Sequence, residues 1–152
     1  MKKNILIYAL GAIIIGIILG KYIYNGYEME SRDVFNETTN KIYLIQYGVY
    51  SSEELMLDNT KKLKNYFYYI DNNKYHVLIG ITSNKNLKDK IVNAYNIDNK
   101  VYLKEITTNN SIFNEALKQY DNLVNDSNDN DIIITAEKQI LSKYEELILN
   151  SE

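Results

Sequence analysis

The chain has no cysteine, no proline and no tryptophan, a single histidine, and only six glycines in 152 residues. Without cysteine there is no disulfide, no zinc–cysteine cluster, no thiol nucleophile and no cysteine-borne lipid anchor. Three of the glycines, Gly11, Gly16 and Gly20, lie within the first 24 residues, and no Gly-rich loop is left to cradle phosphate. The patterns H-E-x-x-H and G-x-S-x-G are also missing. Carboxylates are plentiful, but sequence alone does not pair them at the separation a glycosidase needs. The expectation is a protein that is not an enzyme and uses no cofactor. Ile, Asn, Lys and 15 tyrosines fill the composition instead. This is the usage of an AT-rich coding sequence, so the tyrosines read as ordinary core and groove residues.

What the chain does have is a sharp contrast at its start. Residues 5–19 (ILIYALGAIIIGIIL) carry no charge, with Lys2 and Lys3 before them and Lys21 after. Fifteen residues span about 22 Å as a helix, and extension to Tyr24 gives about 30 Å, the thickness of a bilayer core. Lys21 then snorkels to the headgroups, beside Tyr22, Tyr24 and Tyr27 at the interface. A cleaved signal peptide is the alternative, but its small-residue A-x-A site is absent. Lys2 and Lys3 place the N-terminus in the cytoplasm and the rest outside, as a single-pass protein of the cell membrane. The formal net charge is −3, and the three lysines of residues 1–21, with no acid among them, leave −6 for the remainder. An acidic exterior part argues against nucleic acid as a partner.

Residues 25–40 are polar, without a sustained period, and read as a stalk. Residues 41–50 (KIYLIQYGVY) read as a strand. Ser51 and Glu54 form a capping-box pattern, opening a helix to about Asn65. Residues 66–70 and 75–81 read as a hairpin around Asp71-Asn72-Asn73-Lys74. Ser83 or Asn84 opens a second helix, broken at Asp98-Asn99, and residues 101–106 form a fourth strand. A helix at about 111–125, a polar link at 125–131 and an amphipathic helix to about Leu149 follow, with residues 132–134 open to a short strand instead. The expected class is α+β: a transmembrane helix (1–24), a stalk (25–40), a βαββαβ antiparallel sheet with two helices on one face (41–106), and a C-terminal helical extension (107–152).

Residues 41–106 resemble the SPOR (sporulation-related repeat) domain of bacterial cell-envelope proteins. That family opens on aromatic-V-Q-V-G-x-F followed by Ser-Ser-x-Glu. Here Tyr43-Leu44-Ile45-Gln46-Tyr47-Gly48-Val49-Tyr50 precedes Ser51-Ser52-Glu53-Glu54. A second family motif, Y-x-V-x-V-G-x-F, is matched by Tyr75-His76-Val77-Leu78-Ile79-Gly80-Ile81-Thr82. Leu78 stands where Arg is frequent, Thr82 where Phe is usual, and Val49 where a small residue is usual. The resemblance implies a ferredoxin-like sheet that binds peptidoglycan glycan strands stripped of stem peptides, for targeting in cell division or sporulation. Its ligand-binding residues would be Ile42, Leu44, Gln46, His76 and Leu78 on the open sheet face, with Tyr43, Ile45, Tyr47, Tyr75, Val77 and Ile79 in the core. Gln46 also reads as a plain exposed strand residue, and His76 as an exposed strand residue before a ligand contact. The alternative function is a membrane-tethered protein–protein scaffold with a degenerate groove, docking cell-envelope proteins on the C-terminal helices.

One further pattern bears on metals. In residues 126–137 (DSNDNDIIITAE), Asp126, Asn128, Asn130 and Glu137 fall at the first, third, fifth and twelfth positions of an EF-hand loop. Asp131 stands where that loop needs Gly, so no metal is expected, and calcium is the minor alternative.

Overall fold

The computed structural model describes residues 40–97 and 101–149, which belong to one compact unit. The expected anchor, the stalk before Asn40 and the break at Asp98-Asn99 lie outside the described residues. Among the described residues no helix is long and apolar enough to cross a membrane. The class is α+β: strand β1 (Asn40–Tyr50), helix α1 (Glu53–Thr60), β2 (Phe67–Asp71), β3 (Lys74–Thr82), a 3₁₀ turn (Lys85–Leu87) running into α2 (Lys88–Ala94), β4 (Tyr102–Thr108), α3 (Ser111–Asp126) and α4 (Asn130–Leu149). The four strands form one antiparallel sheet in the order β2-β3-β1-β4.

Local chemistry sets the boundaries. The cap of α1 is Ser52, whose hydroxyl accepts from Leu55 N at 3.3 Å, one residue later than the Ser51 expected. The helix stops at Thr60, well short of Asn65. Thr60 Oγ1 bonds back to Met56 O at 2.9 Å, and Leu63 N closes a turn on Thr60 O. Met56 and Thr60 are its buried residues, a stripe too narrow to hold a longer helix on the sheet. The hairpin turns through Asn72 and Asn73 with φ of 49° and 58°, the pair of left-handed residues that suits a two-residue turn. Residues 132–134 are helical: Asp129 Oδ1 accepts from Asp131 N at 2.8 Å and caps α4.

Two opposed bulges adjust the central pair. Between Ile45↔Gly80 and Gln46↔Leu78, β3 carries one extra residue, Ile79. Between Gln46↔Leu78 and Gly48↔Val77, β1 carries one extra residue, Tyr47. The insertions cancel, and Gln46 sits between them. On one face Ile45 and Ile79 join Leu87, Ile91, Ala94 and Tyr95 of the α2 region, with Val124 of α3 and Ile133, Ile134 and Ala136 of α4. Tyr47 packs against that cluster, and its hydroxyl donates to Asn59 O of α1.

The C-terminal helices therefore belong to the domain. They also reach the opposite face. There Phe67 shares a side with its register partner Leu78, and its ring meets Tyr144 of α4 edge-on at 6.2 Å. Tyr144 in turn meets Phe113 of α3 at 5.9 Å. Where β2 stops short, α4 passes the uncovered edge of β3, and Glu137 Oε2 accepts from Ile81 N at 2.9 Å. The side chain fits because residue 80 is glycine: a Cβ there would lie 2.6 Å from Glu137 Oε2 and 3.1 Å from Ile91 Cγ2. Beside it Asp121 of α3 takes Thr82 Oγ1 at 2.6 Å, Ser83 N at 2.8 Å and Ser83 Oγ at 2.6 Å.

Candidate functional site

Strand alternation and the register assign the faces. Gln46, His76 and Leu78 lie with Ile42 and Leu44 on the side opposite the cluster of Ile45 and Ile79. Of these five expected contact residues, three are shielded. Ile42 and Leu78 are 0% exposed and Leu44 1%. On this face Tyr144 of α4 meets Phe67, the register partner of Leu78, and Phe113 of α3 packs against Tyr144. An apolar stripe on a strand marks burial without saying which element supplies it. Gln46 and His76 remain half-exposed.

The uncovered part of the face is a compact polar–aromatic patch. His76 and Tyr69 oppose each other across β3 and β2, and their rings stack 5.0 Å apart at 11°. With its proton on Nδ1, His76 donates to Gln46 Oε1 at 3.3 Å. From β4, on the far side of β1, Lys104 extends across the face, donates from Nζ to Tyr69 Oη at 3.2 Å, and lies 5.6 Å from the ring centroid. Tyr102, 65% exposed, faces Gln46 in register on β4. All four strands thus contribute one side chain or more.

Each member has a structural reason for its position. The two-residue turn at Asn72-Asn73 fixes Tyr69 opposite His76. The opposed bulges aim Gln46 toward His76. The β1–β4 register puts Lys104 opposite Leu44, and its long aliphatic stem reaches over that buried residue. Tyr69, Tyr102 and Lys104 were not foreseen from sequence. Tyr69 was within reach, because counting back from a two-residue turn pairs it with His76. Lys104 and Tyr102 depend on β4 lying beside β1, which no local pattern states.

Chemically the patch offers a flat aromatic plate, an amide with donor and acceptor ends, and an ammonium. That combination suits a hydroxyl-rich ligand bearing a carboxylate. Aromatic faces stack on apolar faces, the amide bonds hydroxyls in either sense, and the cation pairs with the acid.

The EF-hand candidates do not converge. Glu137 is 1% exposed and turned into the edge of β3, away from the α3–α4 link, while Asp126 ends α3 in solvent. Asn128 is exposed in the link and Asn130 opens α4. Among the described residues no three His, Asp or Glu side chains are grouped to hold a metal ion. Searches for relatives found none: no family model, no curated protein and no solved structure matches this chain.

Proposed function

We propose that this chain is a membrane-tethered, non-catalytic module that binds peptidoglycan glycan strands through the patch of Gln46, Tyr69, His76, Lys104 and Tyr102. The observation that carries the reading is the Tyr69–His76 plate bridged to Gln46 and Lys104 on one sheet face. A saccharide ring stacks on the plate while Gln46 bonds its hydroxyls. Glycan stripped of stem peptides exposes the lactyl carboxylate of muramic acid, and Lys104 supplies the matching cation. The strand order and the SPOR-like motifs around Gln46 and Gly80 support a ferredoxin-like fold of that family. The apolar run 5–19 supports the single-pass anchor, with the module outside the cell.

The test is co-sedimentation of residues 32–152 with sacculi, untreated and amidase-treated. Binding is expected to rise on stripped sacculi, and Gln46→Ala or Tyr69→Ala to weaken it about tenfold. Absence of binding to both preparations would sink the proposal.

A second reading, the protein–protein scaffold, is favoured by one specific observation. The cover over Ile42, Leu44 and Leu78 leaves a smaller open face than a full sheet would offer. On that reading Gln46→Ala leaves partner binding intact.

A further inference from the structure

We propose that the free edge of β2 and the last turns of α4 form a docking groove for an extended segment of a partner protein, one with alternating apolar side chains and a basic residue at the α4 end. The inference does not depend on the glycan reading.

Strand β2 is an outer strand, and among the described residues no strand pairs with its other side. The tight turn makes Asp71↔Lys74 the bonded closing pair. By alternation Phe67, Tyr69 and Asp71 bond to β3, and Tyr68 and Ile70 direct their N–H and C=O groups outward. Their side chains are exposed as well, Tyr68 by 39% and Ile70 by 59%. The opposite edge, β4, is guarded by charge, with Lys104 and Glu105 on the strand and Glu105 paired to Lys41 at 2.8 Å. The β2 edge has no such guard along Phe67–Ile70.

Beside this edge runs a groove of about 610 Å³ between residues 66–70, including Tyr69 of the patch above, and Ile148 and Leu149 of α4; among the described lining residues Glu145 alone is charged. An unpaired edge and a hydrophobic wall are the two parts that strand addition uses: main-chain bonds supply affinity and alternate side chains fill the wall. Charge selects the occupant. The last turn of α4 has no basic residue, and Glu145 and Glu146 stand just before it. Glu145 makes that end of the groove anionic. A second copy of this chain pairing through β2 would bring Phe-Tyr-Tyr-Ile-Asp, which has an acid and no base. A basic partner segment satisfies the site.

The experiment is selection of random nine-residue peptides on the full-length chain in detergent, followed by titration of the enriched consensus peptide. Enriched peptides are expected to alternate apolar residues and to place Lys or Arg toward one end. Ile70→Pro, which removes an outward N–H, is expected to abolish binding, and Glu145→Lys to weaken it at least about tenfold. Ile70→Lys serves if the proline variant does not fold, with the same loss expected. The proposal is overturned if no peptide is enriched, or if binding ignores both substitutions. It is equally overturned if the chain itself dimerises with concentration and Ile70→Pro abolishes that dimer, which would make a second copy the occupant.

Discussion

The carboxyl of Glu137 has been taken out of water to close the edge of β3. Burial pushes its pKa well above the ordinary 4.5; the Ile81 N–H opposes that shift and the charge of Asp121 adds to it. Asp121 is raised as well, by burial, against the three donors from Thr82 and Ser83. The folded state therefore holds protons that the unfolded chain releases. Their contribution to stability is full below the ordinary values of 3.8 for Asp121 and 4.5 for Glu137 and is lost as pH rises through the raised folded values. In Glu137→Gln the amide oxygen still accepts from Ile81 N but cannot ionise. Melting temperature is expected to fall between about pH 5 and 8 in the wild type and to fall less in the variant. Equal slopes would refute the assignment. Gln46 and His76 were legible at this scale because alternation along a strand is a local rule. The role of Glu137, read only as the twelfth position of the minor calcium alternative, was hidden because spacing along the chain says nothing of a partner 56 residues away.

At the scale of elements, the order of strands and helices and most of their ends followed from periodicity, while both ends of α1 did not. Two serines precede α1, and the capping-box pattern selects Ser51, yet Ser52 supplies the cap. A box pattern fixes a spacing, and the neighbouring serine meets the same need when the helix opens one residue later, at Glu53. Ser52→Ala is expected to cost about 1 kcal/mol in urea denaturation, and Ser51→Ala less than about 0.5 kcal/mol. The reverse order would restore Ser51 as the cap. The early end of α1 was likewise hidden. Leu63 and Phe67 keep a helical spacing, but Phe67 belongs to β2 and meets Tyr144.

At the scale of the whole molecule, the sheet is buried on both sides over β3, from Val77 to Thr82. The C-terminal helices add to both cores, which no amphipathic stripe could announce, since a stripe shows that a helix packs without naming what it packs on. Ending the chain after Thr108 strips Val124, Ile133, Ile134 and Ala136 from one core and bares Leu78 on the other face. Each large side chain returned to water costs about 1.5–3 kcal/mol, and the sum rivals the roughly 5–15 kcal/mol that holds a domain together. The truncated chain is expected to show no cooperative melt by circular dichroism. A sharp transition would mean that residues 40–108 fold alone.

The bond from Ile81 to Glu137 spans 56 residues. At about 5–20 residues per second of synthesis, the ribosome makes the edge of β3 roughly 3–11 s before the group that caps it. During that interval a nascent chain presents the edge of β3 without the carboxylate that caps it in the finished fold.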